Sequence, residues 1–372
     1  MAAMKTSPSK SRVSEMFTPQ RLLLARRRKK MTAKALAEAL GISTAQLSKL
    51  ETGKATMDEA ILREAASILD VAVEFLCAPE LEQIPAEAAT FRSLARMTAA
   101  SRDSATAAAS YAFALSDWVD ARYNLPVWEP LDFAEFDGPA AAARELRARW
   151  GVGEKPIKDI IMLLESKGVR VFSLAEQDLA VDAYSCWRNS RPYVFLNTIK
   201  SGEHTVFDAA HELGHLVLHR HGTAHKGVEH EANMFASEFL MPARDVRAEI
   251  PRVVTMEELI KKKRRWNVSL AALVYRLRHL GKLTEARYRG MYIDMGQKGY
   301  RKSEPNAIAP PKSTLWRKVL MDQWQQKRTL SHIASEVRIP ERELSALVFR
   351  AGEPNGACDL RGSGRPSLRV VF

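Results

Sequence analysis

Cysteine is scarce in this sequence, and long apolar runs are missing from it. Among 372 residues there are three cysteines, Cys77, Cys186 and Cys358, and no two of them form a CxxC pair. This usage excludes a disulfide scaffold and a thiolate zinc site, and it predicts a reducing cytoplasm. No apolar run approaches the roughly 20 residues that span a bilayer, so we expect no membrane partner. The polar N-terminal stretch predicts no secretory signal.

Positive charge is concentrated near the N-terminus. The chain has a formal net charge of +12, and residues 1–57 alone carry +9. A basic segment joined to a nearly neutral remainder is typical of a domain that binds a polyanion, most simply nucleic acid. A solvated basic tail is the alternative interpretation of the same charge.

The basic segment has the start and stop signals of several short helices. A threonine before Pro19 predicts a helix that runs to about Lys29, and Thr32 can cap a second helix. Ser43 can cap a third helix over Thr44–Glu51. Gly41 stands between the last two helices, where a sharp turn needs a residue that takes positive φ. The spacing therefore predicts a helix-turn-helix, with a helical hairpin in an unrelated bundle as the alternative.

The third predicted helix exposes short polar side chains that suit the major groove of DNA. Gln46 is the best candidate for reading a base, because an amide can form two hydrogen bonds with adenine. Basic residues at the end of the first helix are expected to contact phosphates. The predicted DNA-binding residues are Arg28, Lys30, Thr32, Ser43, Thr44, Gln46, Ser48 and Lys49.

A family resemblance supports this prediction. The string ALAEALGISTAQLSKLETGK, followed by a helix from about Asp58 to Leu69, resembles the XRE-type (lambda-repressor/Cro-like) helix-turn-helix family. The resemblance implies an all-helical domain whose partner is a double-stranded DNA operator. It also implies a homodimer, because one such module contacts only a half-site.

Histidine is clustered in the middle of the chain. Seven of the nine histidines fall between His204 and His230, and among them is the string HELGH at residues 211–215. On a helix, His211 and His215 are four residues apart, so both imidazoles can reach one metal ion. Glu212 lies on a different side of the helix, where it can act on a metal-bound water molecule. This pattern predicts a zinc site with a general base.

A catalytic zinc ion usually has three protein ligands, so one more is needed. We rank Glu231 first, because it starts the next predicted helix and borders a small residue that permits close packing. His221 ranks second and Glu238 third. Glu229 lies off the face that Glu231 shares with Glu238, and we therefore give it no role.

A second resemblance joins these residues. HELGHLVLH followed by EHEANMFASEFLMP is similar to the ImmA/IrrE family of metallopeptidases, over roughly residues 139–290. The resemblance implies a gluzincin-like site with one zinc ion per chain. In it His211, His215 and Glu231 are the ligands, and Glu212 is the general base.

The two resemblances together imply a DNA-binding transcriptional regulator with a zinc endopeptidase domain. Similar fusions act in phage, mobile-element, toxin–antitoxin or stress circuits, where the peptidase cleaves an XRE-type repressor protein. The alternative is a non-catalytic regulator or antitoxin whose peptidase-like domain senses a ligand or a partner.

The remaining segments complete the predicted organisation. Thr329–Phe349 has an apolar spacing similar to a second helix-turn-helix, although we favour a structural helical cap. The expected fold class is mainly α (α+β), with a small sheet from Gly168–Leu174, Tyr184–Arg188 and Tyr193–Asn197. The predicted parts are a flexible arm (1–16), a helix-turn-helix domain (17–78), a helical connector (79–138), a metallopeptidase domain (139–300), and a linker with a small helical unit (301–372).

Overall fold

The computed structural model describes residues 16–84, 90–91, 98–129, 137–174, 183–220, 227–250, 254–350 and 369–370. Within these ranges the chain is mainly helical, with a small sheet, which confirms the predicted α+β class. Almost all of the predicted N-terminal arm and the second-ranked metal ligand, His221, lie outside the described residues. None of the helices in the described ranges is long and apolar enough to cross a lipid bilayer.

Five short helices form the N-terminal unit. They are α1 (Pro19–Arg28), α2 (Ala33–Ala39), α3 (Thr44–Glu51), α4 (Glu59–Leu69) and α5 (Val73–Leu76). Thr32 and Ser43 cap α2 and α3, since their hydroxyl oxygens accept the amide hydrogens of Ala35 and Gln46. Gly41 has a φ of +65° in the turn between these helices, as its position predicted.

A long helix and a small sheet follow this unit. Helix α6 (Ala99–Asp120) is buried along most of its length and packs against α1. The sheet has the order β1 (Thr90–Phe91), β4 (Ala183–Arg188), β5 (Arg191–Leu196) and β3 (Arg170–Ser173). Strands β4 and β5 form a hairpin whose turn residues, Asn189 and Ser190, both have positive φ. A separate short pair joins β2 (Tyr123–Asn124) to β6 (Arg369–Val370).

The two faces of the sheet belong to two different hydrophobic cores. Alternate side chains such as Phe172 and Phe195 pack with the N-terminal helices, α6 and the C-terminal helices. Their neighbours Val171 and Val194 face a second core. That core contains side chains from α7 (Pro139–Arg149), α8 (Ile160–Ser166), α9 (Gly202–Leu218), α10 (Val228–Leu240), α11 (Ala243–Glu249), α12 (Met256–Lys262), α13 (Leu270–His279) and α14 (Glu285–Gln297).

Helices α9 and α10 pack closely because a glycine lies where they meet. A Cβ atom added to Gly214 of α9 would lie 3.2 Å from both Cα of Ala232 and Cδ1 of Phe235 in α10. Helix α9 also packs against β4 and β5, which bury its HELGH segment. The HELGH side chains therefore lie between the sheet and α10.

Three helices complete the fold: α15 (Thr314–Gln325), α16 (Leu330–Val337) and α17 (Glu341–Leu347). The buried carboxylate of Glu165 in α8 caps the start of α15, where it accepts the backbone amide hydrogens of Thr314 at 3.0 Å and Leu315 at 2.9 Å. The indole of Trp316 donates to the carbonyl of Val171 in β3. The C-terminal helices are thus attached to the sheet domain.

Candidate metal centre and DNA-binding surface

Three potential metal ligands face one another between α9 and α10. The Nε2 atoms of His211 and His215 are 3.0 Å apart, and the two carboxylate oxygens of Glu229 lie near them, Oε2 3.4 Å from His211 and Oε1 3.4 Å from His215. In a tetrahedral zinc site with bonds near 2.05 Å, neighbouring ligand atoms are about 3.3 Å apart. These three residues are the group that could hold a metal ion among the described residues.

The predicted third ligand, Glu231, is not part of this group. Its carboxylate lies 3.0 Å from Nε2 of His219 instead. The reason is helical geometry: Ala232 packs on Gly214, and the residue that shares its face is three positions earlier, at Glu229. Glu231 is next to Ala232 in sequence and therefore lies on a different face of α10.

The third-ranked candidate, Glu238, has a structural role. It is buried and forms an ion pair with Arg276, and it also accepts the backbone amide hydrogen of Ala243 at 3.2 Å. The carboxylate of Glu238 therefore already has partners, and it lies near the end of α10, whereas Glu229 lies near the start of this helix.

Side chains outside the group orient the two imidazoles. Nδ1 of His211 lies 3.1 Å from Oδ1 of Asn233, and Nδ1 of His215 lies 3.1 Å from Nδ1 of His219. Such contacts fix ring orientation and tautomer in metal sites. The sequence analysis missed Asn233, although it is four residues after Glu229 and so shares its helix face.

Glu212 is fully buried beside the imidazoles. Its Oε2 accepts a hydrogen bond from Ser185 Oγ at 2.8 Å, whereas its Oε1 has no hydrogen-bond partner among the described side chains and backbone. Burial raises the pKa of Glu212, and the nearby His215 and His211 and the bond from Ser185 only partly oppose this. A buried carboxylate oxygen with no partner is costly, and such groups often mark reactive sites.

The acidity of Glu229 differs from that of Glu212. Partial burial raises the pKa of Glu229, but hydrogen bonds and charge from His211 and His215 outweigh it and lower the pKa to about 2. An ionised carboxylate beside two imidazoles is a suitable zinc ligand set. The donor atoms, their spacing and the buried oxygen of Glu212 therefore fit a zinc ion.

Other polar and reactive side chains of the sheet are engaged in packing. The hydroxyl of Tyr184 donates to the carbonyl of Ala105 in α6, and the hydroxyl of Tyr193 donates to Oγ of Ser116 in the same helix. Cys186 is buried in β4, and burial raises its pKa to about 12, so it is not a nucleophile.

The predicted base-reading surface is exposed on α3 and at the start of α2. Gln46 has a second role there, because its Oε1 accepts the backbone amide hydrogen of Ser43 at 2.9 Å and completes a capping box. Its carbonyl oxygen is thus engaged before any DNA is present. The exposed side chains from the predicted set are Thr32, Ser43, Thr44, Gln46, Ser48 and Lys49.

Arg28 and Lys30, the predicted phosphate contacts, are less exposed. The guanidinium of Arg28 points inward, with Nε 2.8 Å from the carboxylate of Glu343 and Nη1 2.7 Å from Oγ of Ser104. Lys30 is half-buried in a turn with a φ of +56°. The structure therefore does not bring Arg28 to the surface that α3 presents.

Comparison with known protein families agrees with these two sites. Residues 22–76, which include most of α1 and all of α2 to α5, match the helix-turn-helix family. Residues 164–278, which include strands β3, β4 and β5 and both helices of the metal group, match the family described as IrrE N-terminal-like domain. A search of curated proteins found no match. The chain thus carries an XRE-type helix-turn-helix domain followed by an IrrE/ImmA-type peptidase domain, and it is a DNA-binding regulator with a peptidase-like domain.

Proposed function

We propose that this regulator binds a double-stranded DNA operator through α3 and hydrolyses peptide bonds at a zinc ion held by His211, His215 and Glu229. One observation carries the proposal: the Nε2 atoms of His211 and His215 are 3.0 Å apart, each lies 3.4 Å from an oxygen of the Glu229 carboxylate, and the fully buried carboxylate of Glu212 is adjacent. Such a group is rare on a purely structural helix, because two imidazoles and the carboxylate of Glu212 are costly to bury together.

The side chains of the site would have different roles in the proposed hydrolysis. A bound zinc ion supplies Lewis acidity and lowers the pKa of a coordinated water molecule to about 7. Glu212 accepts the proton of the attacking water and delivers it to the leaving amine. Ser185 holds Oε2 of Glu212, which leaves Oε1 as the atom that exchanges the proton. Burial favours the protonated form of Glu212 and so supports proton uptake.

The strand position beside β4, next to Glu212, already holds an extended segment of the chain, β1. Thr90 and Phe91 pair there with Ser185 and Tyr184 in antiparallel register, and Ser185 is the residue that bonds Glu212. Addition of a strand to a sheet edge is a common way to bind peptides with little sequence preference. We propose an XRE-type repressor as the substrate, with the connector of this chain (79–138) as the alternative.

A peptide-cleavage experiment tests the enzymatic proposal. Purified wild-type protein and the Glu212→Gln variant, both supplied with zinc, are incubated with peptides from a proteome digest, and new N-termini are identified by mass spectrometry. We expect new N-termini with the wild type and none with the variant, since the glutamine side chain would keep the shape of Glu212 but accept no proton. Equal cleavage by both proteins, or none by either, would contradict a peptidase role.

One observation favours the second candidate, a non-catalytic regulator or antitoxin that senses a ligand or partner. The chain itself fills the strand position beside Glu212 with β1, so the edge already has an internal occupant. This candidate predicts that Glu212→Gln leaves operator binding and regulation unchanged.

DNA binding is tested separately by salt-titrated mobility shifts with duplex DNA. We propose a homodimer on two half-sites, so the observed affinity should fall steeply with salt, and Lys49→Ala should make the slope about one unit shallower.

The proposed domain organisation is 17–78, 79–138, 139–300 and 301–372. In this proposal the base-reading helix belongs to the domain of residues 17–78 alone.

A further inference from the structure

The last three helices that the structure describes repeat the arrangement of the first three. Helices α16 and α17 begin at Leu330 and Glu341, each 297 residues after the first residue of α2 or α3. The buried positions correspond at the same spacing. The matched pairs are Leu22 with Val319, Leu36 with Ile333, Ala37 with Ala334, Ile42 with Ile339, Leu47 with Leu344, and Leu50 with Leu347.

The turns of the two segments also correspond. Lys30 and Lys327 both have positive φ, at +56° and +60°, and so do Gly41 and Arg338, at +65° and +52°. The amide of Ile42 donates to the carbonyl of Ala37 at 3.0 Å, and the matching bond in the C-terminal segment is 3.1 Å long. Corresponding turns and core positions define the same fold.

The surfaces of the two segments differ. At the positions of Thr44 and Gln46 on α3, helix α17 has Glu341 and Glu343. Two carboxylates at the start of a reading helix would repel DNA phosphates. Glu343 is instead largely buried against Arg28 at the end of α1.

Further contacts of this segment reach both neighbouring domains. On the N-terminal side, Arg342 donates to the carbonyl of Asp70 at 2.8 Å and Arg21 donates to that of Arg338 at 3.2 Å. On the sheet side, the backbone amide of Phe349 donates to Ser173 of β3 at 3.1 Å. The segment therefore lies between the DNA-binding domain and the peptidase-like domain and bonds to both.

We propose that residues 314–350 form a second helix-turn-helix fold, whose helix α17 binds the N-terminal domain of the same chain instead of DNA and ties that domain to the sheet. Glu343 occupies the position that corresponds to Gln46, the proposed base-reading residue of α3, and it bonds to Arg28. The partner of this surface is the end of α1 and α4, which carry Arg28 and Asp70.

Two substitutions in the same helix turn test the proposal on the full chain. Glu343→Gln removes the carboxylate that pairs with Arg28, whereas Glu341→Gln removes a neighbouring carboxylate whose bond among the described residues is to Ser331, within the segment. Both acids lie in the first turn of α17, so the effect on the helix dipole is matched. Hydrogen exchange by mass spectrometry and salt-titrated shifts with duplex DNA are the two measurements.

We expect Glu343→Gln to speed amide exchange in α17 and at the end of α1 about tenfold or more, because a largely buried charged hydrogen bond is lost. Glu341→Gln should leave exchange within about twofold of the wild type and DNA binding unchanged. Equal exchange in both variants would overturn the proposed contact. DNA binding that tightens tenfold in Glu341→Gln would show that α17 faces DNA, and would also overturn it. Failure of the wild type to bind DNA would refute the proposed operator function and leave the exchange result intact.

Discussion

One residue of the proposed DNA-binding surface also has a structural role. Gln46 completes the capping box of α3 with Ser43, so replacing it by alanine would change helix stability and the proposed DNA contact at once. Glutamate offers a way to separate these two roles, because it also serves at the third position of a capping box.

Gln46→Glu should therefore leave the free energy of unfolding within about 0.5 kcal/mol of the wild type, since the bond to Ser43 is kept. The new negative charge faces the DNA, so we expect affinity for duplex DNA to fall at least about tenfold at moderate salt. Chemical denaturation and mobility shifts measure the two effects. Unchanged DNA affinity would show that α3 is not the reading helix.

At the scale of secondary-structure elements, the metal group depends on how closely α9 approaches α10. Gly214 permits the contact with Ala232 that brings Glu229 toward His211 and His215. Both helices were predicted, with Glu231 ranked first as the third ligand, whereas the carboxylate next to both imidazoles is that of Glu229. A helix start can be predicted only to within a few residues, and the face that meets a neighbour depends on the crossing itself.

Gly214→Ala should destabilise the protein by about 1–2 kcal/mol, because its Cβ would press on α10. The resulting displacement of α10 should also move Glu229 and so weaken zinc binding. Gly290→Ala in α14 is the matched control: nothing lies within 4 Å of its Cβ, so it should be neutral or stabilising. Thermal melting and zinc titration with a competing chelator would check both variants. Equal effects of the two would contradict a role for this helix contact.

The link between α8 and α15 should depend on pH. Burial raises the pKa of Glu165 from 4.5 to about 7, more than its bonds to Ser313, Leu315 and Thr314 lower it. Because this pKa is raised, the fold favours the protonated carboxyl. Its stabilising effect is complete below about pH 4.5 and is lost as the pH rises through 7.

We expect the wild type to lose about 3 kcal/mol of stability between pH 4.5 and 8 through this group. Glu165→Gln, which carries no charge at any pH, should lack that part of the pH dependence. Urea unfolding of both proteins across this range isolates the contribution. Parallel curves for the two proteins would show that the Glu165 carboxylate is accommodated in its charged form.

At the scale of the whole molecule, local patterns were predictable and long-range pairings were not. The caps Thr32 and Ser43, the turn at Gly41 and the β4–β5 hairpin follow from neighbouring residues, and the structure has all of them. The pairing of Arg28 with Glu343 joins positions 315 residues apart, and no local pattern indicates it. The basic residues near the end of α1 therefore suggested phosphate contact, although one of them anchors the C-terminal helices.

The two cores meet at the sheet, so the DNA-binding and peptidase-like parts are not independent. Helix α6 and the C-terminal helices share one core with the N-terminal unit and one face of the sheet. The metal group lies against the other face, through α9. Packed elements of the described structure thus connect the two sites.

Zinc content per chain tests most directly whether His211, His215 and Glu229 form a metal centre. Wild type and the variants His215→Ala, Glu229→Gln and Glu231→Gln are dialysed against one zinc-buffered solution and assayed by inductively coupled plasma mass spectrometry. We predict one zinc ion in the wild type and in Glu231→Gln, and loss of zinc in the other two. A wild type without zinc, or a Glu229→Gln variant that keeps zinc while Glu231→Gln loses it, would contradict the proposed centre.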